Sequence, residues 1–72
     1  MRKVEGIQIR WHENGVKSSE GNFKNGKAVG IHRYWYESGK IWIQREYSTE
    51  SYFETYWRKD GTILSSGTKI RR

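Results

Sequence analysis

The sequence predicts an all-β protein: a single antiparallel meander of about six strands, built from three degenerate hairpin repeats of 22–24 residues. One supporting observation is a recurring pattern, in which an apolar residue, a Trp and a Gly follow one another at intervals of four positions. Another is the alternation of apolar and polar residues between these landmarks, which is typical of strands. The three copies are Ile7, Trp11, Gly15; Ile31, Trp35, Gly39; and Phe53, Trp57, Gly61.

The alternation also sets the expected strand boundaries. In the first strand Ile7, Ile9 and Trp11 point to one side, while the residues between them are polar. The residues from Lys69 to Arg72 are expected to form a basic, frayed end. The predicted strands are Val4–His12, Val16–Phe23, Val29–Tyr36, Lys40–Tyr47, Tyr52–Arg58 and Thr62–Thr68.

The turn within each repeat is predicted to be a three-residue loop that ends in Gly. Such a loop places Trp35 opposite Ile41, whereas a two-residue loop would turn these apolar residues away from each other. It likewise places Trp57 opposite Ile63. Gly at the last loop position supplies the left-handed backbone that this loop needs. The three loops are Glu13-Asn14-Gly15, Glu37-Ser38-Gly39 and Lys59-Asp60-Gly61.

The second strand is the weakest of the six, because Lys17 occupies the position filled by Ile41 and Ile63 in the other copies. Two interpretations remain open. Lys17 could lie between Trp11 and Trp35 and gain a cation–π contact. Alternatively, a local register shift could turn Val16 inward instead. The following Asn25-Gly26 pair predicts a tight turn.

Because successive side chains of a strand point to opposite sides, odd-numbered and even-numbered residues are expected to form two different faces of the sheet. The odd-numbered face is expected to be the core, since it collects most apolar side chains: Ile7, Ile9, Trp11, Phe23, Ile31, Trp35, Ile41, Ile43, Tyr47, Phe53, Trp57 and Ile63. The even-numbered face is both aromatic and basic: Arg10, His12, His32, Tyr34, Tyr36, Trp42, Tyr52, Tyr56, Arg58 and Leu64.

Length and composition define a single domain, 1–72, that contains no Cys and hence no disulfide or thiolate metal site. The aromatic content of 15% is typical of folded chains. No apolar run has the length of a membrane span, and the N-terminus lacks a signal-peptide pattern, so a cytoplasmic protein is expected. A sheet this small buries little, which makes a homodimer or a partner an expectation. The net charge of +6 favours acidic partners.

No pattern indicates catalysis. Gly21, Gly26 and Lys27 have the spacing of a phosphate-binding loop, but Ala28 replaces its Ser or Thr and no helix follows. The two histidines are expected to lie about 16 Å apart, too far to share one phosphate. There is no metal-ligand spacing and no nucleophile beside a base. We therefore expect a protein without enzymatic activity, cofactor or metal.

The even-numbered face remains as the candidate binding surface. Trp, Tyr and Arg dominate protein-interface hot spots, which makes a protein interface, including self-association, the favoured interpretation. The same composition also suits single-stranded nucleic acid, our alternative. A third interpretation is that aromatic cross-strand pairs simply stabilise a thin sheet. The residues predicted to bind a partner are Arg10, Tyr34, Tyr36, Trp42, Tyr52, Tyr56 and Arg58.

The repeat resembles a known unit. Trp11–Lys27, with the sequence WHENGVKSSEGNFKNGK, is similar to the unit of MORN-variant repeat proteins, the group known as YwqK-type antitoxins. Trp35–Ile41 (WYESGKI) resembles the same unit, and Trp57–Ile63 (WRKDGTI) resembles a degenerate third copy. The resemblance implies a meander of hairpins, no catalytic residues and a binding role. MORN-type proteins are associated with protein assembly and membrane lipids. An antitoxin, an immunity protein or a phage-encoded inhibitor would act by steric occlusion.

Overall fold

The computed structural model describes residues 5–71, and it confirms the predicted antiparallel meander. Its six strands form one sheet in the order of the chain. Val4, the predicted start of the first strand, and Arg72 lie outside the described residues, while Lys69 and Ile70, predicted to be frayed, belong to the last strand. The strands are β1 (Gly6–Trp11), β2 (Lys17–Lys24), β3 (Lys27–Trp35), β4 (Ile41–Tyr47), β5 (Ser51–Trp57) and β6 (Ile63–Ile70).

The three-residue loops within the repeats are confirmed by their backbone hydrogen bonds. In the second repeat the Tyr36 N–H donates to the Lys40 carbonyl at 2.9 Å, and the Gly39 N–H donates to the Tyr36 carbonyl at 2.9 Å. The same two bonds close the first and third loops. The last loop residue has a positive φ in every copy, 93° at Gly39, which explains why it is Gly.

Short turns connect one repeat to the next. Asn25 (φ 52°) and Gly26 (φ 80°) form a two-residue turn between β2 and β3, as the Asn-Gly pair predicts. Between β4 and β5 the Ser48 N–H donates to the Ser51 carbonyl at 2.8 Å. Residues 21–27, whose Gly and Lys spacing matches a phosphate-binding loop, therefore form the end of β2 and its turn into β3.

A β-bulge occurs at the same point of every repeat, next to the Trp. In the second repeat Trp35 pairs with Ile41, as predicted, but Tyr34 pairs with Ile43, so that Trp42 has no partner across the strands. Such a bulge leaves two consecutive side chains on one face and reverses the alternation beyond it. The bulges lie between Arg10/Trp11, Tyr34/Trp35 and Tyr56/Trp57.

Because of these bulges, three residues predicted for the odd-numbered face lie on the opposite one. Phe23 pairs with Gly6, Ile43 pairs with Tyr34 and Tyr56, and Tyr47 pairs with Tyr52. We call the face that they join the aromatic face. Its principal members are Phe23, His32, Tyr34, Tyr36, Trp42, Ile43, Arg45, Tyr47, Tyr52, Glu54 and Tyr56.

The opposite face, which we call the Trp–Ile face, was expected to be the core, and this expectation is wrong. Most of its large apolar side chains are exposed, and the buried residues of the described chain all lie on the aromatic face. The cause is that residues 5–71 form a single layer, about 14 Å thick, and none of them packs over the second side of the sheet. The Trp–Ile face comprises Ile7, Ile9, Trp11, Lys17, Ile31, Trp35, Ile41, Phe53, Trp57, Ile63 and Ile70.

Lys17 resolves the question that the sequence left open in β2. It pairs with Trp11, and its Nζ lies 5.5 Å from the centre of the Trp35 ring. The cation–π interpretation is therefore confirmed over the register shift of Val16. Lys17 also forms an ion pair with Glu20 on the same face.

Candidate functional site

Arg45 of β4 is the centre of the polar contacts on the aromatic face. Its Nε donates to Glu54 Oε2 at 3.0 Å, and its Nη2 donates to the Tyr56 hydroxyl at 3.0 Å. The guanidinium also lies 5.7 Å from the ring centre of Tyr34 and 5.9 Å from that of Tyr52. Arg45 therefore ties together three of the tyrosines predicted to bind a partner.

The environment of Arg45 keeps it charged. Burial, the largest single influence, lowers the pKa of the guanidinium, but the hydrogen bonds to Tyr56 and Glu54 and the nearby tyrosines together raise this pKa above its ordinary value. Glu54 is itself buried, so this ion pair is enclosed within the face. Arg45 and Glu54 are structural residues that position the surrounding rings.

His32 fills the neighbouring part of the same face. Its Nε2–H donates to the Asn22 carbonyl at 2.8 Å, and its ring meets Phe23 and Tyr47 edge to face, at 5.0 Å and 4.9 Å between centres. A Cβ at Gly21 would fall 2.1 Å from the ring. His32 is therefore packed against its neighbours on every described side, which makes it a core residue.

The exposed part of the aromatic face is a platform formed by Tyr36 and Trp42. Their rings are 5.5 Å apart and inclined at 31°, and Tyr34 meets Trp42 edge to face at 6.5 Å. Trp42 remains 41% exposed because the bulge lifts it out of the strand pairing. A shallow depression of about 510 Å³ lies beside it, lined by His12, Trp35, Tyr36, Glu37, Ser38, Lys40, Trp42 and Lys59.

Hydrogen bonds from loop side chains hold the platform in place by linking successive repeats. His12 Nε2–H donates to the Trp35 carbonyl at 2.8 Å, and the Tyr36 hydroxyl donates to the Trp57 carbonyl at 2.6 Å. His12 and Tyr36 each directly follow the Trp of their repeat, so the two hydrogen bonds occupy equivalent positions in successive repeats. Arg58 has the same position in the third repeat, but it bonds within its own hairpin, to the Ile63 carbonyl at 2.9 Å.

The seven predicted binding residues all lie on the aromatic face, but they do not form one patch. Tyr34, Tyr36 and Trp42 are brought together, whereas Tyr52 and Tyr56 are half-buried around Arg45.

Arg10 and Arg58, the two remaining predicted residues, are exposed and lie about four strands apart, roughly 20 Å. Arg45 was not predicted to bind a partner, because strict alternation without the bulge places this odd-numbered residue on the Trp–Ile face. Lys40, predicted as the first residue of a strand, and Lys59, predicted as part of a loop, were not among the predicted binding residues, although both line the depression beside Trp42.

Fold and site together define a small β-meander repeat protein, whose hairpins are joined by side chains of their loops. The MORN repeat variant model matches residues 4–25 and 28–48, more than half of the chain, so the chain belongs to the MORN repeat variant family. The two matches cover the first two hairpin repeats. MORN repeats are generally associated with binding. No curated protein and no solved structure matches the chain.

Among residues 5–71, no helix is long and apolar enough to cross a membrane. The same residues contain no group of three His, Asp or Glu side chains arranged to hold a metal ion.

Proposed function

We propose that this protein is a non-enzymatic binding protein, which occludes or scaffolds a macromolecular partner through the platform of Tyr36 and Trp42. The observation that carries the proposal is the exposure of Trp42 on a face whose other aromatic rings are largely engaged. Trp and Tyr are enriched among the few residues that contribute most of the binding energy of a protein interface. The tyrosine beneath Trp42 is fixed by its bond to the Trp57 carbonyl, so little ordering is needed on binding.

The charges around the platform favour an acidic partner. Lys40 and Lys59 line the depression beside Trp42, against the single carboxylate of Glu37, and the chain as a whole carries +6. Cations at the rim of an interface speed association with a partner of opposite charge. The resemblance to YwqK-type antitoxins supports an inhibitory role, as an antitoxin, an immunity protein or a phage inhibitor in the cytoplasm.

The experiment compares two exposed apolar side chains at equivalent positions of the second and third repeats. Tagged wild-type protein, Trp42→Ala and Leu64→Ala are used to capture partners from cell extract, and the captured proteins are identified by mass spectrometry. Trp42→Ala is expected to lose the specific partner, because a central Trp contributes at least about 2 kcal/mol to an interface. Leu64, 55% exposed at the position equivalent to Trp42 in the third repeat, is the control, and Leu64→Ala should retain the partner. Equal loss in both variants, or no loss with Trp42→Ala, would refute the proposal.

Single-stranded nucleic acid is the second candidate, since stacked rings beside lysines also bind bases and phosphates. The same three proteins are titrated with a single-stranded oligonucleotide at two salt concentrations, with Trp fluorescence as the readout. Nucleic-acid binding requires quenching that disappears in Trp42→Ala and an affinity that falls steeply with salt. Absence of binding at low salt removes this candidate and leaves the protein partner.

A further inference from the structure

The chain exposes more surface than a monomer of its size. The accessible surface is 5633 Å², whereas a monomeric protein of 8.6 kDa exposes about 4,700 Å². The excess of about 900 Å² is close to the 800 Å² or so that each partner buries in a standard protein interface. The molecular dimensions of 38 × 29 × 14 Å show where this surface lies, because a single-layer sheet has two open sides.

The excess surface is apolar and lies mainly on the Trp–Ile face. Ile31 of the central strand β3 and Phe53 of β5 are 42% and 48% exposed. Among residues 5–71, Ile43 is the one buried hydrophobic residue, so the molecule by itself has almost no apolar core. Sheets with an apolar face are normally stabilised by a second layer. Large exposed apolar side chains on this face are Ile7, Ile9, Trp11, Ile31, Phe53, Ile63 and Ile70.

The charges on this face allow a second copy of the chain to cover it. Its inner part carries Lys17 and Glu20, which pair with each other, and one further charge of each sign, Arg33 and Glu46. The central surface is therefore balanced, although the chain as a whole is at +6. Lys24 and Lys27 lie at the margin of the face, beside a turn. Like-charge repulsion between two copies is accordingly weak at the centre, where apolar area is buried.

We propose that two copies of the chain pack their Trp–Ile faces together, forming a twelve-stranded sandwich with a two-fold axis. Two sheets in such a sandwich lie about 10 Å apart and their apolar side chains interdigitate. Because the interface is isologous, the same residues contribute from both copies. The aromatic faces then point outward, so each dimer presents two copies of the Trp42 platform. The proposal uses the opposite face from the proposed function and does not depend on it.

Sedimentation equilibrium of the full chain, from about 1 µM to about 1 mM, tests the proposal. The wild type should have twice the 8.6 kDa chain mass. In Phe53→Lys the new ammonium lies opposite Glu46 in the sheet, which preserves the monomer fold. In the dimer the variant removes two ammonium groups, and the Glu46 carboxylates beside them, from water, so the dissociation constant should rise at least about 100-fold. The matched control is Leu64→Lys, since Leu64 is 55% exposed on the aromatic face. This control should remain dimeric.

Two further measurements test the dimer even if Phe53→Lys does not fold. Thr68→Arg adds a cation beside Phe53 without removing an apolar contact, and it should also yield monomers. Dilution of the wild type should shift Trp emission to the red as Trp11 becomes exposed, with no variant needed. A wild type that stays monomeric at every concentration overturns the proposal. So does a dimer that resists both Phe53→Lys and Thr68→Arg, since a different surface must then hold it.

Discussion

At the scale of the residue, His32 determines which side chains its neighbours can have. The imidazole lies over the backbone of Gly21, where an added Cβ would be 2.1 Å from Nδ1. The ring cannot retreat, because Phe23 and Tyr47 contact its edges and Asn22 accepts its Nε2 hydrogen. Position 21 is therefore restricted to Gly by the space that the His32 ring occupies, and not by its backbone conformation.

Gly21→Ala should therefore destabilise the fold. Overpacking of this kind costs about 1–3 kcal/mol, measured as the free energy of unfolding in urea. Gly67 holds the equivalent position in the third repeat, where nothing lies within 4 Å of the added Cβ. Gly67→Ala is the matched control and should be neutral or stabilising by up to about 1 kcal/mol. Equal losses in the two variants would show that the His32 contact does not matter.

At the scale of the element, one side-chain hydrogen bond recurs between successive hairpins. The Tyr36 hydroxyl reaches from the second repeat to the Trp57 carbonyl of the third, as His12 reaches from the first to Trp35. Hydrogen bonds within a hairpin do not hold it to its neighbour, so these two bonds add to the strand pairing between repeats. They also fix the rings that carry the candidate platform.

Tyr36→Phe should therefore lower the free energy of unfolding by about 1 kcal/mol, because the Trp57 carbonyl loses its side-chain donor. The ring and its stacking on Trp42 are retained, so partner capture should change little. Tyr52→Phe is the control, since its hydroxyl makes no hydrogen bond to residues 5–71. Chemical denaturation measures the free energy of unfolding of both variants. A loss in Tyr52→Phe as large as in Tyr36→Phe would contradict the role of this bond.

The elements also show which parts of the fold could be read from the sequence. The loops were predictable, because Gly39 and its counterparts mark a backbone that other residues adopt poorly. The bulge beside each Trp was not, since it depends on hydrogen bonding between strands rather than on residue type. Each bulge reverses the faces of the residues beyond it. Ile43, Tyr47 and Phe23 were misplaced for that reason, and Arg45 was overlooked.

At the scale of the whole molecule, the apolar pattern predicted which residues share a face, but it did not predict what packs against that face. Ile31, Phe53 and Trp57 were assigned to a core by their periodicity, and they do share one face. Periodicity cannot tell whether the second layer comes from the same chain, and residues 5–71 form only the sheet and its turns. The buried side was instead built from long polar and aromatic side chains around Arg45, whose packing depends on cross-strand register.

If the second layer is another copy, association stabilises the folded chain, and the melting temperature must depend on protein concentration. Mass action favours the folded dimer over two unfolded chains as concentration rises, so each tenfold dilution should lower the melting temperature by about a few degrees. Leu64→Lys, altered on the outer face, should show the same dependence. Phe53→Lys, with the interface disrupted, should melt at a lower temperature that does not change with concentration. Calorimetry over a wide concentration range measures all three proteins. A wild-type melting temperature that is independent of concentration would mean that the single sheet is stable with its Trp–Ile face open to water.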